Sequence, residues 1–330
     1  MNMNKTINVA FIYKKSNRLL FPNNYDTTYY HFFMNALKRN SRIKVDYFHS
    51  EKKMDVRKLK EKYDIILLYE NWNGGSPDEL IGIDELDIPV IARCGDFHAA
   101  KKYNTVSFHD KYKIDYYFGF NTEKLFHQFY PKNFKYKTVI YGLEPSLYQN
   151  VLPFEKRIKN RILNSGAIGN SSAYSKLINR FKPIHGNPYY EYRLRALCTK
   201  LPYVDYTSTL DHEFVGDKYP KLLEKYQASI ASTTFGPTIK YWEIPAAGCL
   251  TFMEITEKNG GKYLGYTDNE TAIFINEDNY EDKFKEFIKN PNNPKWKKIA
   301  DNGRKYALEN LNNDKAVDSL IDLMEELILR

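Results

Sequence analysis

The stretch FGPTIKYWEIPAAGCLTFME, residues 235–254, sets a helix, a glycine turn and a strand in direct succession. Residues 238–247 are predicted to be helical, and Gly248 permits the left-handed turn that stops a helix. The apolar segment 250–254 then predicts a strand. A helix that runs through a tight turn into a strand belongs to a βαβ unit, so this stretch predicts an α/β fold built on a parallel sheet.

The first half of the chain repeats the alternation of strand and helix. DIILLY at 64–69 is a continuous apolar run, as expected of a parallel strand that is covered on both faces. The other predicted strands are 7–13, 44–49, 88–92, 116–120 and 138–141. The predicted helices are 26–39 with Asp26 as N-cap, 55–62, 78–86 and 122–130. The pattern predicts right-handed βαβ units.

The segment 143–160 interrupts the alternation with two prolines and mixed polarity, and we place the linker between two domains there. The predicted domains are residues 1–150 and 151–330. In the second, strands are predicted at 161–168, 203–206, 228–232, 250–254 and 271–275, and helices at 171–181, 190–199, 218–226, 238–247 and in the tail. Ligands of such sheets bind beyond the carboxyl ends of the strands, so two Rossmann-like domains predict a site in an interdomain cleft.

The apolar runs and the cysteines of the sequence argue against several classes of protein. No apolar run approaches the 18 residues of a membrane span, and the short apolar stretch after the N-terminus is followed by lysines, unlike a signal peptide. The three cysteines lie far apart, which argues against a disulfide framework and a zinc site. We therefore expect a cytoplasmic protein, which disfavours a periplasmic type of binding protein.

Basic charge is concentrated in the first half. Residues 1–150 carry 23 Lys and Arg against 17 Asp and Glu, whereas residues 151–330 carry 26 against 24. Within the first half, residues 99–137 combine eight lysines with twelve aromatic residues. Such a segment can meet an anionic partner, which is a nucleic acid, an acidic glycan or a membrane surface, or it can be a set of core aromatics with solvated lysines.

The segment 235–254 resembles the donor-binding segment of group-1 glycosyltransferases, through Glu243 and the small residues of the turn that ends at Gly248. LGYTDNETAIFINED (264–278) and the tail 299–325 resemble the spore-maturation-protein-like group of these enzymes. The resemblance implies the GT-B architecture and a nucleotide-sugar donor bound by the second domain. It also implies an acceptor bound by the first domain, and a last helix that packs back onto that domain.

In the matching family the glutamate at position 243 binds the ribose of the donor, a task that suits a carboxylate because it accepts two hydroxyls at once. A helix N-terminus near Thr238 and the charge of Lys240 suit a diphosphate. Further candidates for the donor site are the turn residues Gly166, Gly169, Asn170 and Ser171, and an arginine of the pair Arg193 and Arg195, of which we choose Arg193.

In the first domain, RCGDFH (93–98) follows a predicted strand. Asp96 and His98 are the candidate catalytic residues, either as a base and the residue that orients it, or as ligands of donor hydroxyls. An inverting enzyme needs such a base and a retaining one does not. His98 also resembles the histidine of the family's first domain. Glu70, Trp72 and Glu144 are candidates for contact with the acceptor.

No Asp-x-Asp, His-x-x-x-His or Cys-x-x-Cys motif occurs, so we expect neither a metal nor another cofactor. One position departs from the family pattern, because Phe235 stands where group-1 enzymes often carry a second glutamate. This departure favours an alternative function, a non-catalytic protein on the same scaffold that binds nucleic acid or glycan.

Overall fold

The structure is a computed structural model that describes residues 6–14, 29–70, 74–169, 172–179, 181, 184–207 and 216–330. The chain divides into two compact units. The first consists of residues 1–142 and 313–330, and the second of residues 143–312. The first unit therefore contains the last helix as well as the N-terminal part of the chain.

The first unit is built on a parallel sheet with the order β2-β1-β4-β6-β7-β8, and a separate small sheet pairs β3 with β5. The strands are β1 (Ile7–Tyr13), β2 (Ile43–His49), β3 (Lys53–Asp55), β4 (Ile65–Leu68), β5 (Glu79–Ile81), β6 (Val90–Arg93), β7 (Tyr116–Gly119) and β8 (Tyr136–Thr138). The helices are α1 (Tyr29–Arg39), α2 (Ala100–Tyr103), α3 (Phe108–Lys111), α4 (Glu123–Phe126) and, at the end of the chain, α12 (Asn313–Ile328).

Both faces of this sheet are covered, as the apolar run 64–69 predicts. Successive side chains of a strand point to opposite faces. Ile65 therefore belongs to the core that α1 and α12 cover, whereas Ile66 belongs to the core on the other face. The apolar face of α12 contributes Val317 and Leu320 to the first of these cores.

The predicted helices at 55–62 and 78–86 are wrong. The first segment starts at the last residue of β3 and the second contains β5, and each continues into a short 3-10 turn. Their backbones pair with each other, and Val56 N donates to Ile81 O at 3.0 Å beyond the ladder. Isolated helices of eight or nine residues are marginal, so pairing between the two segments decides their structure.

The second unit has a parallel sheet with the order β10-β9-β11-β12-β13, the doubly wound order. The strands are β9 (Ile158–Ser165), β10 (Val204–Thr207), β11 (Tyr226–Ala231), β12 (Leu250–Glu254) and β13 (Ile273–Ile275). The helices are α5 (Ala173–Asn179), α6 (Pro188–Glu191), α7 (Arg193–Cys198), α8 (Tyr219–Leu223), α9 (Lys240–Ala246), α10 (Tyr280–Lys289) and α11 (Pro294–Asn310). The predicted α/β class with two Rossmann-like sheets is confirmed.

The stretch 235–254 folds as its sequence indicates. It forms the short helix α9, then a turn at Gly248 with φ of +75°, then β12. Gly248 N donates to Pro245 O at 2.7 Å, which closes the end of the helix. No helix within the described ranges is both long and apolar enough to cross a bilayer.

Candidate functional site

The switch point of the second sheet lies between β9 and β11, because β9 has β10 on its other side. Ligands of doubly wound sheets bind at this point, beyond the carboxyl ends of the strands. Gly166 follows β9 directly and has φ of +108°, a backbone conformation that residues with a side chain rarely adopt. The backbone therefore turns sharply at the place where a ligand of this sheet belongs.

Two cationic side chains converge on Gly166. A Cβ atom added to this glycine would lie 2.9 Å from Arg195 Nη1 and 2.9 Å from Lys240 Nζ. Arg195 comes from α7 and Lys240 from the first turn of α9, so two helices bring positive charge to one turn. A glycine at 166 leaves room for both cations and exposes its backbone to whatever they bind.

Arg195 is buried and bridges the two strands of the switch point. Its Nη1 donates to Ala167 O at 2.9 Å and its Nη2 donates to Ser232 O at 2.5 Å. Its Nε is buried without a hydrogen-bond partner, and no carboxylate of the described residues forms an ion pair with it. Burial lowers the pKa of the Arg195 guanidinium, and the surrounding tyrosine hydroxyls and the Glu254 carboxyl oppose this shift.

Lys240 is also held by neutral groups. Its Nζ donates to Ser165 Oγ at 3.0 Å and to Tyr219 OH at 3.3 Å, and lies 4.9 Å from the centroid of the Tyr219 ring. Burial, and then the charge of Arg195, lower the pKa of the Lys240 ammonium, and the charge of Glu243 opposes this shift. An anion between the two cations would restore the balance of charge.

Glu243 lies one turn further along α9 and is 8% exposed. Tyr148 OH donates to its Oε1 at 3.3 Å, and Oε2 has no hydrogen bond among the described residues. Burial raises the pKa of the Glu243 carboxyl, and the charge of Lys240 and then the hydroxyl of Tyr148 oppose this shift. The carboxyl group can accept hydrogen bonds from hydroxyls of a ligand.

The other residues predicted for the donor site have different surroundings. Thr238 precedes α9, and its Oγ1 is buried without a hydrogen-bond partner. Gly169 is explained by packing, since an added Cβ would lie 2.4 Å from the Cα of Tyr189. Arg193 forms an exposed ion pair with Glu277 at 2.8 Å. Asn170 and Ser171 lie outside the described residues.

The first unit carries a buried ion pair at the carboxyl ends of its own strands. Glu70 follows β4 and pairs with the Nη2 of Arg93, the last residue of β6. The guanidinium of Arg93 also donates to Tyr69 O at 3.0 Å and to Tyr141 OH at 2.9 Å. Glu70, a predicted acceptor residue, is therefore enclosed beside a counter-charge.

Asp96 and His98 follow β6, and both side chains are exposed. No hydrogen bond joins the two side chains, so they do not form a preassembled base and orienter. Glu144 lies in the second unit, is buried, and accepts from Ser146 Oγ at 3.1 Å. Trp72 lies outside the described residues.

The aromatic residues of 99–137 lie largely in the core of the first unit. Tyr112, Tyr117 and Phe126 are fully buried, and Phe126 stacks on Tyr130 with ring centroids 4.5 Å apart. These rings cover a face of the sheet and cannot stack on bases. Of the two interpretations of this segment, the structure supports core aromatics.

Three residues in these sites were not among the chosen candidates. The sequence analysis favours Arg193, although Arg195 lies three residues before Cys198 and so shares the inward face of α7. Tyr148 lies in the predicted linker 143–160, and Arg93 lies in the stretch 93–98. Nothing in the sequence distinguishes them from other tyrosines and arginines.

Comparison with known proteins gives structural matches only. No family model matches the chain, and no curated protein matches its sequence. HepE from Anabaena, solved with UDP, is 10% identical over 97% of this chain and 100% of its own, with a TM-score of 0.57. The sucrose-phosphate synthase of Thermosynechococcus elongatus is 11% identical over 98% of this chain and 99% of its own, with a TM-score of 0.57.

A third similar structure is an alpha-glucosyltransferase solved with UDP-glucose and DNA containing an abasic site. It is 10% identical over 97% of this chain and 100% of its own, with a TM-score of 0.57. At such identities the likeness concerns the fold. The chain thus has the fold of GT-B glycosyltransferases, as the sequence predicts.

Proposed function

We propose that the chain is a glycosyltransferase that moves a sugar from a nucleotide-sugar donor to a hydroxyl acceptor, with the spore-maturation-protein-like enzymes as its nearest group. One observation carries the proposal: Arg195 and Lys240 converge on Gly166 at the switch point of the second sheet, and the hydrogen bonds described for them go to neutral groups and not to carboxylates. Two poorly compensated cations beside an open backbone turn are the surroundings that a diphosphate requires.

In this proposal the diphosphate of the donor binds between the two cations, and the ribose hydroxyls bind the carboxylate of Glu243. Arg195 is fixed by two backbone carbonyls, so its charge is oriented before the ligand arrives. During transfer, the acceptor hydroxyl attacks the anomeric carbon and the nucleoside diphosphate leaves. The two cations would stabilise the negative charge that grows on the leaving group, without a metal ion.

UDP is the first probe, because two of the similar structures contain UDP or UDP-glucose. The test is a thermal-shift screen with UDP, GDP, ADP, CMP, dTDP and their common sugars. A ligand at about 100 times its Kd adds roughly 2.7 kcal/mol to the stability of the folded state. We expect a shift with one nucleotide that is lost in Glu243→Ala and retained in Glu257→Ala, an exposed glutamate of the same unit. No shift with any nucleotide would refute the proposed donor site.

Asp96 is the proposed base for an inverting reaction, because it is exposed at the carboxyl end of β6. Asp96→Asn should lower kcat by about 100-fold or more, the usual contribution of a general base. UDP affinity should not change, since the residue lies outside the second unit. Asp87→Asn, at another exposed aspartate of the first unit, is the control. Unchanged kcat in Asp96→Asn would remove this residue from the mechanism.

Turnover separates the proposal from the alternative of a non-catalytic binding protein. A transferase releases UDP from the UDP-sugar when the acceptor is present, and EDTA should not stop a metal-independent enzyme. Tight binding of the nucleotide-sugar with no release of UDP against glycan, lipid-linked, protein or nucleic acid acceptors would favour the binding protein.

A further inference from the structure

The carboxyl end of β12 carries a buried carboxyl group that the proposed donor site does not use. Glu254 is the last residue of β12 and is 5% exposed. Its Oε2 accepts from Ser232 Oγ at 2.5 Å, and no other described residue donates to the carboxyl group or forms an ion pair with it. A buried charge is costly unless it is paired, so a carboxyl group at the ligand end of a sheet is a candidate for contact with a ligand.

Ser232 connects this carboxyl group to the cations of the donor site. The residue follows Ala231, which pairs with Met253, so Ser232 and Glu254 are neighbours at the ends of β11 and β12. The backbone O of Ser232 accepts from Arg195 Nη2 at 2.5 Å, while its hydroxyl donates to Glu254. A single buried residue therefore holds both the guanidinium and the carboxyl group at the carboxyl ends of the strands.

The electrostatic surroundings of Glu254 leave its charge incompletely compensated. Burial raises the pKa of the Glu254 carboxyl, and the charge of Glu277 adds to this shift. The hydroxyl of Ser232 opposes the shift, as do the charges of Arg195 and Lys258. A hydroxyl of a ligand would favour the ionised carboxylate in the same way as the hydroxyl of Ser232 does.

The second unit thus offers two buried carboxyl groups beside its two cations. Glu243 lies on α9, one turn beyond Lys240, whereas Glu254 lies at a strand end and is linked to Arg195 through Ser232. A nucleotide-sugar has hydroxyls on both sides of its diphosphate, on the ribose and on the sugar. Because carboxylates accept hydrogen bonds from hydroxyls, the two groups suit the two ends of such a molecule.

We propose that Glu254 binds hydroxyls of the transferred sugar, so that the site selects a donor whose sugar carries free hydroxyl groups. The inference rests on the proposed function, in which Glu243 binds the ribose. Ser232 is a positioning residue in this arrangement, because its hydroxyl holds Oε2 of Glu254 and leaves Oε1 for the sugar.

The test is titration calorimetry of the whole chain with UDP, UDP-glucose, UDP-galactose and UDP-N-acetylglucosamine. Glu254→Gln keeps the shape of the side chain and removes its charge. Its affinity for at least one UDP-sugar should fall about tenfold or more, the value of a hydrogen bond to a charged group. Its affinity for UDP, which lacks the sugar, should stay near that of the wild type. Glu257→Gln is the matched control, because Glu257 is exposed three residues further along the chain.

A second variant separates contact with the sugar from support of the site. Ser232→Ala should show the same selective loss for UDP-sugars, but a smaller one, because the carboxylate remains and is only held less firmly. UDP binding reports on the folded state of both variants, so a selective loss does not arise from misfolding.

Three results would overturn the inference. Glu254→Gln could bind all the UDP-sugars like the wild type, or the wild type could bind UDP and none of the UDP-sugars. Glu254→Gln could also lose UDP and the UDP-sugars equally, and Glu254 would then only support Ser232 and Arg195. A wild-type chain that binds neither UDP nor any UDP-sugar would refute the proposed function, and this inference with it.

Discussion

The two units place charge at the carboxyl ends of their strands in opposite ways. In the first unit Arg93 and Glu70 neutralise each other, and Arg93 also donates to oxygens of Tyr69 and Tyr141. In the second unit Arg195 and Lys240 stand together with backbone carbonyls and hydroxyls as their partners. At the carboxyl ends of the first sheet the buried charges form an ion pair. At the carboxyl ends of the second sheet the positive charges are arranged to receive an anion.

This difference predicts that an arginine of the first unit contributes to stability and a cation of the second unit contributes to binding. Buried charges are costly unless they are paired, and a protein keeps uncompensated ones only where another function requires them. Replacing the buried arginine of the first unit should therefore lower stability and leave binding unchanged. Replacing a buried cation of the second unit should weaken binding and leave stability unchanged.

The largest effect is expected from Arg93→Met. The variant removes the counter-charge of the buried Glu70, and breaking a buried pair in this way costs about 3–5 kcal/mol. Denaturant unfolding should show the loss, while the affinity of the folded chain for UDP should stay near that of the wild type. The double variant Glu70→Met/Arg93→Met should recover part of the loss because no isolated charge remains. A single variant as stable as the wild type would contradict the comparison.

Lys240→Met should have the reverse pattern. The variant removes a desolvated ammonium that forms no ion pair and is only partly offset by the nearby charge of Glu243, so stability should change little. UDP affinity should fall about 10- to 150-fold, the value of a hydrogen bond to a charged group. Arg193→Met is the control, because the exposed pair of Arg193 with Glu277 should leave affinity unchanged. Titration calorimetry measures the UDP affinity of both variants. Equal affinity in Lys240→Met and the wild type would exclude Lys240 from the site.

The difference in UDP affinity between the wild type and Lys240→Met should depend on pH. Burial lowers the pKa of the Lys240 ammonium, so the free side chain loses its proton at lower pH than an ordinary lysine. A diphosphate favours the charged form, and binding therefore requires a proton once the pH exceeds the lowered pKa. The advantage of the wild type over Lys240→Met should thus narrow as pH rises from neutral to alkaline values.

The smallest effect is expected from Tyr148→Phe. The hydroxyl donates to Glu243 Oε1 at 3.3 Å and favours its ionised form. Loss of one such hydrogen bond should weaken UDP by about 2- to 12-fold. Pyrophosphate, which has no ribose, should bind the variant and the wild type alike in calorimetry. Equal losses for UDP and pyrophosphate would mean that Tyr148 supports the whole site and not the carboxylate of Glu243 in particular.

The sequence predicts the structure correctly where the signal is local. The apolar run at 64–69 predicted a strand covered on both faces, and the stretch 238–254 predicted its helix, glycine turn and strand. The helices predicted at 55–62 and 78–86 are wrong. Each is too short to fix its own structure, and the pairing of β3 with β5 leaves only short 3-10 turns in place of the predicted helices.

The sequence alone determined the fold, because hydrophobic periodicity and turn residues act over a few neighbours and are written directly in the order of the amino acids. It also indicated Glu243 and Lys240 as candidates. Only the tertiary structure distinguished Arg195 from Arg193, brought Tyr148 to Glu243, and showed that Glu70 is paired whereas the cations at Gly166 are not. The physical reason is that compensation of charge depends on which side chains meet in space, and residues 166, 195 and 240 meet only after the sheet has formed.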